Sequence, residues 1–226
     1  MVQKLKQKVM DGKEITKEEA MTLAEADLDE LCQAADEIRK HFCGNVFDIC
    51  SCINVKGGKC SEDCKFCPQS CFNDKVEVKP HTLIGSDQML EEAAYMAQKG
   101  VVRCDLVSSG RRLPKDDVRK IVQDIERIRK ETGIAVCCSF GLLDQEDCEM
   151  LRKAGITRLH NNLESSRTFF TGVCSSHSTD DKMATLRAAR AAGLTLCSGC
   201  LINLGESMED RIELALMERE LGVKSI

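Results

Sequence analysis

The stretch Gly57-Gly58-Lys59-Cys60-Ser61-Glu62-Asp63-Cys64-Lys65-Phe66-Cys67-Pro68-Gln69-Ser70 sets three cysteines at C-x3-C-x2-C spacing. Three thiolates on one short loop can hold three corners of a cubane iron–sulfur cluster. The fourth iron then has no protein ligand, and an open coordination position is what a metal needs to bind a reactant. The glycines allow the backbone to turn tightly around such a group. A tetrahedral zinc site is the other reading of the spacing, and it needs a fourth ligand, for which Cys71 and His81 are near in sequence.

The elements that must position this loop show in the hydrophobic pattern. Short apolar runs at Val46–Val55, Val102–Val107, Ile134–Phe140, Thr157–Leu163 and Leu194–Leu204 alternate with polar segments. Those segments, Asp87–Gly100, Asp116–Gly133, Asp144–Gly155 and Asp180–Gly193, each open near an acid and close on glycine, as does Ser207–Gly222. Acids at the positive end and glycine past the negative end are helix boundary signals. Strand and helix in alternation predict an α/β fold with a parallel sheet and right-handed crossovers. The expected architecture is a (β/α) TIM-type barrel, incomplete here, with five β/α units and Val223–Ile226 as the start of a sixth strand. Residues 1–45 read as an N-terminal helical segment, with residues 46–226 forming the partial barrel. Within the first segment, Leu28, Leu31, Ala35, Ile38 and Phe42 form an amphipathic stripe. In such barrels chemistry sits at the C-terminal ends of the strands, and the cysteine loop follows the first strand. That position favours the cluster over zinc.

Fifteen cysteines exclude an ordinary composition, so the redox setting must be decided. A disulfide scaffold would be short and helix-poor, whereas this chain is long, helix-rich and begins without an export signal. Thiolate metal ligands in a reducing cytoplasm are the better expectation. The net charge of −5 comes from interspersed signs, so neither nucleic acid nor an anionic membrane surface is expected as a partner. No apolar run approaches the roughly 18 residues of a spanning helix.

The C-x3-C-x2-C loop, with an aromatic before its last cysteine, resembles the signature of the radical S-adenosylmethionine (SAM) superfamily. Its extended form Cys-Ser-Glu-Asp-Cys-Lys-Phe-Cys-Pro-Gln-Ser is similar to that of the biotin synthases. His160-Asn-Asn-Leu-Glu-Ser-Ser166, Val173-Cys-Ser-Ser-His-Ser178 and Cys197-Ser-Gly match further landmarks of that family in order and spacing. The resemblance runs from about Asp48 to Ile226 and implies an enzyme that inserts sulfur into dethiobiotin. It implies a 4Fe–4S cluster on Cys60, Cys64 and Cys67, with SAM on the open iron, reduced by a donor such as flavodoxin or ferredoxin. It implies that Phe66 packs near the adenine and that Asn162 and Glu164 contact SAM ribose and substrate. Gly205 and Glu206, in Gly199-Cys-Leu-Ile-Asn-Leu-Gly-Glu206, match the fifth-strand motif that cradles adenine, with Asn203 replacing a usual glycine. Arg111, after the second strand, is expected either to meet a carboxylate or to stand solvated, and His177 to lie near substrate or at the surface. A homodimer of the full-length protein is also implied, and this sequence is expected to be cut off before its barrel is complete. Another radical SAM enzyme of maturase or mutase type, and a non-catalytic iron–sulfur or zinc protein, are the alternatives.

Biotin synthases carry an auxiliary iron–sulfur cluster deeper in the barrel as the proposed sulfur donor. Cys137 and Cys197 stand at matching positions, but the second strand offers Asp105 there, and Cys104 one residue away points to the other face. Cys50 on the first strand and Cys200 complete the expected ligand set, which resembles that of cysteine-rich variants from anaerobes. Cys200 can join Cys197 only if the strand breaks near Gly199. Cys32, Cys43 and Cys148 are expected as small core residues, Cys52 and Cys138 as packing against helices, and Cys71 and Cys174 as loop thiols.

Overall fold

The computed structural model describes residues 1–226. Five parallel strands, β1 (Cys50–Lys56), β2 (Arg103–Ser108), β3 (Ala135–Ser139), β4 (Arg158–His160) and β5 (Thr195–Cys197), lie in consecutive order. Between and after them run α4 (Ser86–Gln98), α5 (Lys115–Thr132), α6 (Gln145–Lys153), the four-residue α7 (Arg167–Phe170), α8 (Thr179–Ala191) and α9 (Met208–Leu221). Capping explains the boundaries: Asp144, Ser178 and Ser207 each accept from the third helical amide in a reciprocal capping box, and α5 ends on Gly133 at φ 71°. The expected strand–helix alternation is therefore present. After α9, Ser198 N donates to Ser225 O and Lys224 N to Leu196 O, both at 3.0 Å, so the sixth strand begins to pair as predicted. Only α7 was absent from the sequence reading.

The sheet has two unlike faces. Ile53, Val55, Cys104, Leu106, Val136, Cys138, Leu159 and Leu196 turn toward the helices and form most of the sheet side of a 29-residue core. Cys104 is fully buried there, opposite to the lumen, as the one-residue offset required. The alternate residues face the barrel interior, and the register sets Cys52, Asp105, Cys137, Arg158 and Thr195 side by side across the five strands. This face is polar and thiol-rich. Cys52 thus corrects one expectation: two residues from Cys50 on a strand means the same face, so it shares the lumen side and does not pack against helices.

Three N-terminal helices precede the sheet: α1 (Val2–Met10), α2 (Lys17–Leu23) and α3 (Leu28–Cys43). α1 packs on α3 through Val2, Leu5 and Ala34, and α2 rests on α9. The nine-residue α1 covers only the middle of the α3 stripe, which leaves Leu28 and Phe42 exposed. Cys32 and Cys43 lie on the face of α3 turned away from Ala34 and α1, so they are exposed and are not core residues, whereas Cys148 is fully buried as expected.

Candidate active site

β1 delivers the chain to the cysteine loop through Gly57 and Gly58, which run tightly against residues 80–81. Gly58 has φ +73°, and a Cβ there would come within 2.7 Å of Pro80 Cα, so glycine is required. The loop then closes on itself: Cys60 N donates to Gln69 O and Cys71 N to Cys60 O, both at 2.8 Å. Its middle is bolted to the segment after α7, with Lys65 N donating to Val173 O (3.1 Å) and Lys65 Nζ to Gly172 O (2.6 Å). Phe66 packs against the small cluster of Phe170, Val173 and Cys174 and lines two cavities.

The larger set of polar groups gathers around the first of these, a cleft of about 300 Å³. Cys60, Cys64 and Cys67 line one wall, and Asn162, Glu164 and Lys182 another. The three triad thiols do not all lie within 4.8 Å of one another, so they are splayed more widely than a single ion would need. The donor set of three thiolates fits a cubane cluster. Burial pushes the Cys60 thiol up, and burial together with the neighbouring Cys174 pushes Cys64 up, so ligation would have to draw both protons off.

Glu164 follows β4 at φ +70°, an uncommon backbone for a non-glycine residue. The sheet holds it there: Glu164 N donates to Gly199 O (3.0 Å), and Leu201 N to Glu164 O (2.9 Å). Its side chain is nearly buried on a residue that lines the cleft, and Oε2 has no hydrogen-bond partner. Burial raises its carboxyl above the usual range against the opposing pull of Lys182. Lys182 Nζ stands 3.9 Å from Glu164 Oε1 and donates to Asn162 O at 2.8 Å. Sequence reading missed this lysine, because α8 looks solvent-facing at its first turn and nothing local marks the residue as buried.

Glu206 has a different part. Its carboxylate accepts from Asn203 N (2.9 Å), Leu204 N (2.8 Å) and Arg211 Nε (2.7 Å), so it braces the turn that contains Gly205. The Asn203 amide leads the effects that draw its pKa down to about 2. Asn203 itself sits at φ +68°, a left-handed backbone that asparagine adopts more readily than most residues other than glycine. Arg111 meets carboxylates of this chain, Glu62 (3.5 Å) and Asp181 (3.8 Å), and also donates to Ser176 O. His177 is not at the surface: its ring is nearly buried and its Nδ1 lies 2.7 Å from Glu62 Oε2.

Below the cleft the lumen carries the remaining candidates. Cys137 pairs in register with Asp105 on the neighbouring strand, and burial, then the Asp105 charge, push its thiol up. Burial raises the Asp105 carboxyl, whose Oδ2 accepts from Ser139 Oγ at 2.8 Å while Oδ1 has no partner. Arg103 Nε and Nη1 and Arg158 Nε are buried and unpartnered as well. Cys197 lies 3.2 Å from His160 Nδ1. Burial works upward on that thiol, but the His160 contact wins and its pKa ends below the ordinary value. β5 stops at Cys197, so strand periodicity does not govern Cys200, which bridges to Glu164 and has Glu218, Glu164 and Glu206 as charged neighbours.

A parallel β/α barrel wall with a three-cysteine loop at the C-terminal end of its first strand defines a class. Residues 54–217 match the family model of the Radical SAM superfamily. In fold the chain is similar to methylornithine synthase (PylB), with TM-score 0.83 and 23% identity over 97% of this chain and 65% of that one. It is similar also to the FeFe-hydrogenase maturase HydG from Carboxydothermus hydrogenoformans, with TM-score 0.79 and 18% identity over 99% and 54%. Sequence relatives narrow the class. Biotin synthase 2 of Corynebacterium diphtheriae is 51% identical over 99% of this chain and 68% of its own length, and the biotin synthase of Brachyspira hyodysenteriae 47% over 98% and 66%. The chain belongs to the biotin synthase family, and it spans about two thirds of the length of those relatives. No helix is long and apolar enough to cross a membrane.

Proposed function

We propose that this chain forms the radical-generating wall of a biotin synthase, which inserts sulfur into dethiobiotin. Cys60, Cys64 and Cys67 hold a 4Fe–4S cluster whose open iron takes SAM. When bound and reduced, that pair supplies a 5′-deoxyadenosyl radical able to abstract hydrogen from unactivated carbon. The protein binds, orients and shields. Phe66 covers the cluster side of the cleft, Gly205 and the turn braced by Glu206 lie against the adenine, and Asn162 and Glu164 receive hydroxyl and ureido groups. The observation that carries the reading is the Glu164 carboxylate, nearly buried with Oε2 unpartnered, on a residue that lines the same cleft as the triad.

Cys50, Cys137 and Cys197 hold the auxiliary iron–sulfur cluster, with Cys200 a further candidate at the strand break. Their support is the shared lumen face and the unpartnered Arg103 and Arg158 nitrogens, cationic groups suited to an anionic cluster or to the substrate carboxylate. Electrons come from a donor of flavodoxin or ferredoxin type, and the full-length protein works as a homodimer in the cytoplasm. The test is iron and sulfide content after anaerobic reconstitution. About eight irons per chain, falling to about four in Cys60/Cys64/Cys67→Ala, is the expected result for two clusters. Zinc in place of iron overturns it.

A further inference from the structure

The triad loop and the loop after α7 run past each other in opposite directions. Lys65 N donates to Val173 O (3.1 Å) and Lys65 Nζ to Gly172 O (2.6 Å), while the Asp63 carboxylate accepts from Ser175 N (2.9 Å). Residues 65 and 63 thus meet residues 173 and 175, and Cys64 stands opposite Cys174. Their sulfurs are 3.7 Å apart, with the Cys64 thiol donating to the Cys174 sulfur. A disulfide bond of about 2.05 Å requires them to close by roughly 1.7 Å. A change of χ1 swings a sulfur further than that, so the bond can form while the flanking ties hold.

The surroundings accept the bond. The Cys174 thiol donates to Asp63 Oδ1 at 3.2 Å. When that proton leaves, Asp63 keeps the Ser175 and Ser176 amides and the Ser175 hydroxyl, so the carboxylate is not stripped of donors. His177 Nδ1 keeps its 2.7 Å contact with Glu62 Oε2. The two thiols also differ in access. Cys64 is half-buried and lines the cleft, whereas Cys174 is buried and does not. A dissolved oxidant entering the cleft therefore meets Cys64 first, and Cys174 is placed to resolve the adduct.

We propose that Cys64 and Cys174 form a reversible disulfide in the cluster-free protein, made by exchange with a low-molecular-weight disulfide. The Cys64 thiolate attacks one sulfur of the small disulfide, which gives a mixed disulfide and releases one small thiol. The Cys174 thiolate then attacks the Cys64 sulfur and expels the second small thiol. Two protein thiols are oxidised, the small disulfide is reduced to two thiols, and the two protons leave with them. The bond stands on the geometry of the pair. Its consequence rests on the reading of Cys64 as a cluster ligand: a bonded sulfur offers no thiolate to iron, so the oxidised chain cannot load the triad.

The test uses the whole chain, freed of iron and fully reduced under anaerobic conditions, then equilibrated with mixtures of oxidised and reduced glutathione. Free thiols are alkylated, and cross-linked peptides are mapped by mass spectrometry on the unaltered chain, a readout that needs no variant to fold. A chain lighter by two hydrogens, with the Cys64 and Cys174 peptides joined and no glutathione attached, is expected, and dithiothreitol reverses it. Iron uptake, measured without added thiol, is lost in the oxidised chain and returns after reduction. Cys174→Ser lacks the resolving thiol, so it holds glutathione on Cys64 and, before oxidation, takes up iron as the parent does. Cys64 joined instead to Cys60 or Cys67, or Cys174 alkylated throughout the titration, overturns the proposal. A mapped Cys64–Cys174 bond with undiminished iron uptake upholds the bond and removes Cys64 from the cluster. Iron uptake by the reduced chain reports separately on the cluster reading, whatever the map shows.

Discussion

Asp63, one residue before the central cysteine of the triad, accepts hydrogen bonds from Ser175 N (2.9 Å) and Ser176 N (3.0 Å), residues more than a hundred positions along the chain. This carboxylate ties the loop after β1 to the loop before α8, and so fixes the height of Cys64 above the barrel. The Ser175 hydroxyl first, then the Ser176 amide and the Cys174 thiol, hold its pKa well below the usual carboxylate range. With a folded value depressed below the unfolded one, the tie is fully present above the ordinary Asp pKa of about 3.9 and is lost as pH falls below it. Asp63→Ala is expected to lower iron retention after reconstitution and to lower the thermal midpoint. The loss in midpoint relative to the parent should shrink as the pH is taken below about 4. Equal loss at pH 7 and pH 3 would show that the tether is not this carboxylate.

Glu164→Gln removes the charge and keeps the shape. Its carboxyl is raised by burial, so the folded state holds the proton more tightly and the group costs stability as pH rises past the ordinary Glu value of about 4.3. The variant should therefore gain stability relative to the parent at pH 8 compared with pH 4. Turnover should fall at the same time, with binding of SAM or substrate weakened roughly tenfold to a hundredfold for a lost charged hydrogen bond. Chemical denaturation at the two pH values, together with ligand titration, separates the two effects.

Gly58→Ala puts a methyl group against Pro80 backbone at a positive φ. A cost of about 1–3 kcal/mol is expected from the backbone alone. Because Gly58 leads into Cys60, iron loading should suffer even where the melt shows a folded protein.

Cys137→Ala with Cys197→Ala removes two lumen thiols and leaves the triad. Iron per chain should fall by about four while the triad cluster keeps its spectrum. An unchanged iron count would remove the auxiliary site from these residues. Cys104→Ala is the control: its thiol, raised by burial to about 12, faces the helices, and its loss should leave iron untouched and cost only packing.

The alternation of strand and helix, the capped helix starts and the triad spacing were all legible in the sequence, because each depends on neighbours within a few residues. Period-2 reasoning even placed Cys104 outside the lumen, and applied one step further it would have placed Cys52 inside. What local pattern could not give was cover. Whether Cys32 and Cys43 are buried depends on which face of α3 another element covers, and whether Lys182 is buried depends on the β4 loop that folds over it. The approach of Cys174 to Cys64 joins residues 110 apart, and nothing in either segment marks the other. The sequence by itself determined which backbone segments form and which chemistry the triad can hold, since propensity, capping and ligand type are local properties. Only the tertiary structure decided that Glu164 lines the cleft with a buried, unpaired oxygen and that a second thiol and a histidine converge on the triad, since burial and convergence are properties of the packed chain.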